Sequence, residues 1–395
     1  MKVCDLTQFY SPVGGGVKRY LTEKVRFIRE QTGDSEHLLI IPGERDGVIT
    51  GTRSRIHTIR SPLISKTSGY RVLLNLRAIA RILEEERPDL IECGDPYQIG
   101  WKSLRAGRAL RIPVIGFYHS HFPEAYLRGV RKFLGSMPTE FVMGLARRYV
   151  CNLYNQFQHT VVPSPALGEL LTDWGVRNVV TTDLGVDPAI FRPLPSFNEQ
   201  IRAELNLPPD RFLLLYVGRL AREKNTHTLF SAFRLLTRAH PDRFHLLIIG
   251  DGLQRAELNA LKRETHGAVS SLSYCDDPAR LAQIYRAADL FVHPGVQETF
   301  GLVTLEAQSC GTPIVGIRGT YMDRIIQTDQ TFWARENSAE ALATAIQQTA
   351  DCPPPTGESA LRLHQTIAAQ YSWNEVFRQL FAFYREVIHN FTPCD

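Results

Sequence analysis

The stretch GVQETFGLVTLEAQSCGTPIV, from Gly295 to Val315, decides the fold of this 395-residue chain. It follows an apolar run, LFVHP, that is typical of a buried strand, and its end, TPIVGI, is typical of a second one. The residues between them predict a helix that begins near Gly301. A strand, a helix and a second strand in this order form a βαβ unit, which belongs to a parallel sheet.

Two acidic residues of this stretch, Glu298 and Glu306, have seven residues between them. Glu298 precedes the predicted helix and Glu306 lies inside it. The amides of Leu302 and Val303 are expected to point from the helix N-terminus at an anion. Gly301 would let a ligand approach the backbone. The alternative is a loop–helix junction with one capping acid and one solvent-exposed acid.

The βαβ alternation covers almost the whole chain and restarts once, after a stretch with five prolines between Pro188 and Pro209. We therefore predict an α/β protein with two Rossmann-like, doubly wound domains that face a central cleft. The predicted parts are an N-terminal domain over 1–190, a linker over 191–210, a C-terminal domain over 211–375, and a C-terminal helix over 376–395 that can cross back to the first domain. The clearest helical period in the first half spans Tyr70 to Glu86.

Composition favours a globular cytoplasmic protein. The chain is 44% hydrophobic and 22% charged, and no apolar run reaches the ~20 residues that span a bilayer. The start, MKVCDLTQFY, resembles a buried strand rather than a signal peptide. Seven scattered cysteines without a C-x-x-C spacing predict reduced thiols, and they argue against a zinc site.

Charge is unevenly distributed. Residues 101–150 hold nine basic and two acidic residues, namely Lys102, Arg105, Arg108, Arg111, Arg128, Arg131, Lys132, Arg147 and Arg148 against Glu124 and Glu140. A locally basic surface predicts an anionic partner. A nucleic acid is not expected, because the stretch contains no recognisable nucleic-acid-binding module.

Two further motifs follow predicted strands. In YVGRLAREKN a strand ends at Gly218, and Arg219 and Lys224 follow at its carboxyl end, where two cations could clamp a diphosphate. The alternative is two surface cations on a loop.

In FYHSHFP, His119 and His121 follow an apolar strand. Without a neighbouring acid or cysteine we expect no metal site. The better interpretation is a single histidine that hydrogen-bonds a sugar hydroxyl or a phosphate.

The stretch SPVGGGVKRY places Gly14, Gly15 and Gly16 at the turn between the first strand and the first helix. Three glycines cost backbone entropy on ordering, so either a tight turn or a close approach to a ligand is expected. The chain lacks a dinucleotide fingerprint after the first strand, a P-loop and a nucleophile elbow. It also lacks an Asp-x-Asp pair.

In order, the segments GGGV, YHSHF, VPSPALGELL, GVDPAIFRP, VGRLAREKN, IIGDG and the two glutamates of QETFGLVTLEAQSCGTPIV resemble glycosyltransferase family 4. The resemblance covers nearly the whole chain and is most specific between Tyr216 and Val315. It implies the GT-B fold and retaining transfer of a hexose from a nucleotide-diphosphate sugar, without a cofactor or a metal ion. One departure is Leu184–Gly185, where the family usually has an asparagine before GVD.

The resemblance also implies roles for individual residues. Arg219 and Lys224 would hold the donor diphosphate, Glu298 would face the transferred sugar, and Glu306 would bind the ribose. The remaining donor contacts would come from Gly15, Gly16, Gly218, Gly301, Leu302 and Val303, and the histidine near the reaction centre would be His119. The implied catalytic set is therefore His119, Arg219, Lys224 and Glu298.

The donor is expected to be of the GDP-mannose or UDP-glucose type, and the acceptor a hydroxyl of a lipid or glycan. Many relatives glycosylate lipids, so the basic stretch 101–150 is a candidate surface for anionic headgroups on the inner face of a membrane. A solvated helix face is the alternative. Two other functions remain open: a hydrolysing nucleotide-sugar epimerase, and a non-catalytic nucleotide-sugar-binding protein of the same fold.

Overall fold

The computed structural model describes residues 1–10, 15–64, 69–119, 136–194, 198–298, 300–320 and 322–393. The chain divides into two compact units. Unit 1 comprises Met1–Leu184 together with Trp373–Asp395, and unit 2 comprises Gly185–Ser372. Gly14, His121 and the whole segment from Glu124 to Leu134 lie outside the described residues.

Unit 1 is built on a sheet whose strands are β1 (Lys2–Leu6), β2 (Glu36–Gly43), β3 (Gly47–Gly51), β4 (Ser54–Arg60), β5 (Leu90–Cys93), β6 (Val114–Phe117), β7 (Thr160–Val162) and β8 (Val179–Thr181). Their order is β3-β4-β2-β1-β5-β6-β7-β8, and the neighbouring pairs are parallel except β3 with β4. The edge strand β3 has no apolar period, which is why its sequence does not predict it. Val48 and Ile49 on this strand are more than half exposed.

The described helices of unit 1 are α1 (Gly16–Gln31), α2 (Leu76–Glu86), α3 (Gln98–Leu110), α4 (Ser136–Tyr154), α5 (Pro165–Trp174) and, at the C-terminus, α14 (Trp373–Asn390). Helix α2 begins six residues later than its period suggests. The reason is Asn75, whose side chain accepts a hydrogen bond from the Ala78 amide and caps the helix.

Unit 2 contains the strands β9 (Phe212–Val217), β10 (Phe244–Ile249), β11 (Val269–Leu272), β12 (Leu290–Val292) and β13 (Ile314–Val315), all parallel, in the order β11-β10-β9-β12-β13. Its described helices are α6 (Asn198–Glu204), α7 (Thr226–Ala239), α8 (Arg255–Glu264), α9 (Pro278–Ala287), α10 (Leu302–Ser309), α11 (Met322–Ile325), α12 (Ala339–Ala350) and α13 (Gly357–Tyr371). Helix α10 begins directly after Gly301, where the sequence predicts it.

The segment 191–210, expected as a linker, belongs to unit 2 and contains helix α6. Arg202 of this helix donates hydrogen bonds to the carbonyl oxygen of Ala287 at 2.9 Å and to the carboxylate of Asp289 at 2.7 Å. The prolines around α6 therefore limit a short helix that is tied to the sheet of unit 2.

The C-terminal helix α14 packs on α1 of unit 1 and begins at Trp373 rather than at 376. The Phe27 ring lies 5.6 Å from that of Phe377 and 5.3 Å from that of Phe381. Trp373 and Phe377 also contact Tyr20. Burial of this aromatic face stabilises the helix on a unit whose other described elements end near residue 184.

Each sheet has a point where the strand order reverses. In unit 1 it lies between β1 and β5, and in unit 2 between β9 and β12. The helices that follow two such strands leave the sheet on opposite faces, so the loops at the carboxyl ends separate and leave room for a ligand. The segments that follow β1, β9 and β12 carry most of the candidate residues.

Candidate active site

Lys224 and Glu298 meet at the carboxyl edge of the unit 2 sheet. Strands β9 and β12 are neighbours, with Leu214 opposite Leu290. Lys224 ends a short 3-10 turn after β9, and Glu298 follows β12. The ammonium nitrogen of Lys224 lies 2.5 Å from Oε1 of Glu298. Two residues predicted to contact different parts of a donor are thus joined to each other.

Asn225 fixes the turn that carries Lys224. Its backbone is left-handed, with φ of 55°. Its side-chain amide donates to the carbonyl oxygen of Pro294 at 2.8 Å and to Oδ1 of Asn337 at 2.7 Å. The loop after β9 is therefore bound to the loop after β12, which accounts for the approach of Lys224 to Glu298.

Glu298 is an ionised carboxylate in a largely buried position, since its side chain is only 11% exposed. Burial opposes ionisation, but attraction to Lys224 and contact with His293 outweigh it and hold the pKa of Glu298 below its usual range. Nε2 of His293 lies 3.7 Å from Oε1 of Glu298. Sequence reasoning missed His293, although it occupies the carboxyl end of the LFVHP strand.

Arg219 remains accessible. Its side chain is 69% exposed and lies 3.3 Å from the carboxylate of Glu223. The hydroxyl of buried Tyr216 donates to the carbonyl oxygen of Arg219 at 3.0 Å and fixes the backbone there. An exposed ion pair of this kind is weak, so Arg219 can turn toward an anion at little cost.

The IIGDG segment supports the Arg219 loop from the neighbouring strand. Gly250 has φ of 149°, and a Cβ at this position would lie 1.9 Å from the carbonyl oxygen of Gly218. A Cβ on Gly252 would lie 2.4 Å from the carbonyl oxygen of Leu220. These glycines allow the two loops to pack backbone against backbone.

Helix α10 presents its N-terminus at the same edge. Gly301 caps it with φ of 84°, and a Cβ there would lie 2.6 Å from the sulfur of Met322. Leu302 and Val303 are the first two residues of the helix, and amides in the first turn have no partner within a helix. This end can therefore receive a phosphate.

Glu306 lies in a different environment from Glu298. It is buried in α10, and Oε2 accepts a hydrogen bond of 3.1 Å from the hydroxyl of Tyr285 on α9. Tyr285 is fully buried. The sequence does not indicate this tyrosine as a neighbour of Glu306.

Gly15 and Gly16 lie at the carboxyl edge of unit 1, where α1 begins. Gly15 is the residue before the helix and has φ of 116°, a conformation that side chains rarely adopt. A Cβ on Gly15 would meet no atom within 4 Å among the described residues. The glycine is thus required by the turn, and no described atom fills the space beside it.

His119 follows β6 and is half-buried. Its ring stacks on Phe117 at 3.8 Å and meets the edge of Tyr20 at 5.5 Å. Burial and repulsion from Lys24 lower the pKa of His119 to about 3. The imidazole is therefore neutral at physiological pH.

A buried charged cluster in unit 1 was missed by sequence reasoning. Asp5, Lys24 and Glu92 are each at most 2% exposed. Nζ of Lys24 lies 2.8 Å from Asp5 and 3.1 Å from Glu92. A signal was present: Asp5 and Glu92 each interrupt an apolar strand run, and a buried charge requires a partner.

Two buried oxygens at the carboxyl edge of unit 1 have no hydrogen-bond partner among the described residues. They are Oε1 of Gln8, after β1, and Oδ1 of Asp95, after β5. Oδ2 of Asp95 accepts from the Gln8 amide at 2.8 Å. Burial raises the pKa of Asp95 to about 7. These groups could receive hydroxyl donors.

One described part of the basic stretch, on α4, forms an amphipathic surface. Phe141, Leu145 and Tyr149 recur every fourth residue and are 72%, 50% and 36% exposed. Arg147 and Arg148 are exposed beside them. Arg128, Arg131, Lys132 and Glu124 lie outside the described residues, and the side chain of Glu140 is not described.

Across the described ranges, no cluster of three or more His, Cys, Asp or Glu side chains could hold a metal ion. In the same ranges no helix has the length and apolarity needed to cross a membrane. Of the seven cysteines, the six within these ranges are free thiols, and Cys394 lies outside them.

Two family models match the chain. Residues 14–190 match the one described as Glycosyltransferase Family 4, and residues 197–368 match Glycosyl transferases group 1. A GDP-mannose-dependent alpha-(1-6)-phosphatidylinositol dimannoside mannosyltransferase of Mycobacterium tuberculosis is 30% identical over 89% of this chain and 88% of its own length. A GDP-mannose-dependent alpha-mannosyltransferase of Corynebacterium glutamicum is 28% identical over 80% of this chain and 72% of its own.

Solved structures are similar in fold. HepE of Anabaena, in complex with UDP and glucose, superposes with a TM-score of 0.73 at 18% identity, over 98% of this chain and 100% of its own. Sucrose-phosphate synthase of Thermosynechococcus elongatus gives 0.73 at 21% identity, over 98% and 99%. Both units thus follow the architecture expected from the sequence.

Proposed function

This chain belongs to glycosyltransferase family 4, with the GT-B fold, and from that premise we propose that it transfers mannose from GDP-mannose to a hydroxyl of a phosphatidylinositol-type lipid, with retention of anomeric configuration. It is a hexosyltransferase. The donor, the acceptor and the stereochemistry are the proposed parts.

The observation that carries the proposal is the convergence of Lys224, Glu298 and the N-terminus of α10 at one edge of the unit 2 sheet. Transfer requires a diphosphate to leave the sugar, and charge builds up on it as the bond breaks. That negative charge can be stabilised by two cations, Lys224 and the accessible Arg219, and by the hydrogen-bond-donating amides of the first turn of α10. Glu298 is the acidic group beside them.

The proposed chemistry needs no protein nucleophile. The bond between the anomeric carbon and the diphosphate oxygen breaks, and a bond to the acceptor oxygen forms on the same face. The acceptor proton passes to the departing diphosphate, so the charges balance. Glu298 is held by Lys224 at 2.5 Å, which makes it better suited to orient the sugar than to attack it. Glu306 would bind the ribose.

GDP-mannose is favoured over UDP-glucose because curated relatives of this chain carry GDP-mannose in their names. The acceptor is inferred from the names of similar proteins, which include phosphatidylinositol dimannoside in one case and diacylglycerol in another. In unit 1, Oε1 of Gln8 and Oδ1 of Asp95 have no hydrogen-bond partner among the described residues, and we propose that they bind polyol hydroxyls of the acceptor. His119 would contact the transferred sugar.

A lipid acceptor implies work at a membrane surface. We propose that the exposed stripe Phe141, Leu145 and Tyr149, with its flanking arginines, docks on anionic headgroups at the cytoplasmic face. Flotation with vesicles of phosphatidylglycerol tests this. We expect the protein to bind these vesicles at low salt and to be released at high salt. Equal binding to neutral vesicles, or no binding to any vesicle, would contradict the proposed docking surface.

The main test is a product analysis with GDP-mannose and UDP-glucose as donors and vesicles that contain phosphatidylinositol or diacylglycerol. We expect a mannolipid from GDP-mannose and phosphatidylinositol, in EDTA as well as in magnesium, and no product with Lys224→Ala. Free sugar or an epimer without acceptor would favour the hydrolysing epimerase. Nucleotide binding without any product would favour the non-catalytic binding protein.

A further inference from the structure

His119 is held in place by rings and by a glycine. It stacks on Phe117 with the ring planes 7° apart and meets Tyr20 edge-on at 5.5 Å. A Cβ on Gly94 would lie 3.1 Å from Cδ2 of His119, so the absence of that atom leaves room for the imidazole. Tyr20 is fully buried, and its hydroxyl donates to Glu92 at 3.0 Å.

Lys24 occupies the interior behind this arrangement. Its ammonium lies 4.5 Å from the centre of the Tyr20 ring and is fully buried. It donates to Asp5 at 2.8 Å, to Glu92 at 3.1 Å and to the hydroxyl of Tyr384 at 3.0 Å. The three protons of the ammonium thus have three acceptors, which holds the charge at one point.

We propose that Lys24 and Tyr20 are positioning residues for His119: the buried ammonium keeps the imidazole uncharged, and the Tyr20 ring that contacts both groups fixes its orientation. The inference rests on the proposed contact between His119 and the transferred sugar. It assigns a function to a cluster that does not itself reach the substrate.

The electrostatics agree with this geometry. Burial is the largest cause of the low pKa of His119, repulsion by Lys24 is the second, and attraction by Asp5 opposes both. In a protein interior a charge acts over a longer range than in water. The other titratable groups that face this part of unit 1 are His37 of β2, Glu92 of β5, Asp95 of the following loop, Tyr20 of α1 and Tyr384 of α14.

A neutral imidazole suits the proposed reaction. Positive charge develops on the sugar as the diphosphate leaves, as it does in glycoside hydrolysis. A protonated histidine beside that carbon would oppose the reaction, whereas a neutral ring can still exchange hydrogen bonds with a hydroxyl. Keeping the proton off His119 is therefore useful well below neutral pH.

Helix α14 completes the arrangement. Tyr384 contacts both Lys24 and Glu92, from which it is separated by 360 and 292 residues. The C-terminal helix thus contributes the third acceptor of the Lys24 ammonium.

The test is an NMR titration of the full, ligand-free chain labelled at histidine, between pH 3.5 and 8, a range that reaches the pKa values at issue, with His119 assigned from the His119→Gln variant. Three variants accompany the wild type. Lys24→Met removes the cation, and Lys24→Met with Asp5→Asn removes one charge of each sign in case the single variant does not fold. Lys2→Met is the control, because Lys2 also forms an ion pair at β1, 2.6 Å from Glu86.

We expect a pKa of about 3 for His119 in the wild type and in Lys2→Met, so that the ring begins to bind a proton only at the acid end of this range. In Lys24→Met its pKa should rise by at least about one unit, and by less in the double variant, since Asp5 attracts the proton. A wild-type His119 that titrates near its ordinary pKa of about 6.5 would overturn the inference. So would a folded Lys24→Met with unchanged titration.

The titration needs no substrate, so the two proposals can fail separately. Full transfer by His119→Gln would reject the proposed contact with the sugar while leaving the titration result intact. An unchanged titration in folded variants would reject the role of Lys24 even if His119→Gln were inactive.

Discussion

The ammonium of Lys224 lies 2.5 Å from the carboxylate of Glu298, although 74 positions separate them in the chain. Both residues lie in the segments that follow two neighbouring parallel strands, β9 and β12, at the point where the strand order of unit 2 reverses. A donor diphosphate that reaches this edge must compete with Glu298 for Lys224. A stronger ion pair between Lys224 and Glu298 should therefore weaken the binding of the donor.

The first prediction concerns the strength of this pair. A double-mutant cycle with Lys224→Met and Glu298→Gln should give a coupling free energy of about 1–3 kcal/mol, because the pair is largely shielded from solvent. The exposed pair Arg219–Glu223 is the control and should give less than about 1 kcal/mol. Chemical denaturation without nucleotide measures both. Equal couplings would show that burial of Glu298 contributes nothing.

Arg219 should matter for transfer and not for stability. Arg219→Ala removes an exposed side chain, so the unfolding midpoint should stay within the error of the wild type. The rate of sugar transfer should fall by about 10²–10³-fold, as it does when an enzyme loses a hydrogen-bond donor that stabilises developing negative charge. Arg222→Ala, an exposed arginine in the same turn, is the control and should keep full activity. Similar rates in the two variants would remove Arg219 from the site.

Gly301 should tolerate no side chain. Gly301→Ala combines a positive φ with a contact of 2.6 Å to Met322, so it should destabilise unit 2 by more than about 1 kcal/mol and weaken nucleotide binding by moving the start of α10. Gly319→Ala is the matched control, because φ is 74° there and a Cβ would meet no described atom within 4 Å. Thermal unfolding with and without GDP measures both effects. If the two variants behaved alike, the contact with Met322 would be unimportant.

Two buried carboxyls predict a loss of stability as pH rises through about 7. Burial raises the pKa of Glu92 and of Asp95 to about 7, so the folded state binds protons that the unfolded state has released. The free energy of unfolding should therefore fall as pH rises from 6.5 to 8, by on the order of 1 kcal/mol in total for each group, and level off at the upper end, where the folded state has also released the proton. His119 does not contribute there, since its pKa is lowered and its effect falls below pH 6.5.

Denaturation at several pH values checks this. Glu92→Gln and Asp95→Asn should each reduce the slope, whereas the exposed Glu85→Gln should leave it unchanged. A wild-type stability that is flat or rising over this window would contradict the raised pKa values.

Much of the fold could be predicted from local patterns. Apolar runs of four to eight residues and the helical periods between them identify most strands and helices, because burial imposes those periods directly. The spacing of Glu298 and Glu306 around Gly301 likewise predicts an acidic residue before α10 and one within it. Edge strand β3 escaped prediction because exposed residues on an edge need no apolar period, and α6 escaped because the prolines around it resemble a linker.

The sequence by itself determined the order of elements, the family and the glycines at the loop turns, since each of these depends on residues close together in the chain. Only the tertiary structure decided which side chains meet: Lys224 with Glu298, Tyr285 with Glu306, and Lys24 with Tyr384. The physical reason is that a period shows which face of an element is buried but not which element covers it. Contacts between distant segments depend on strand order and helix docking, and these arise from packing the whole unit.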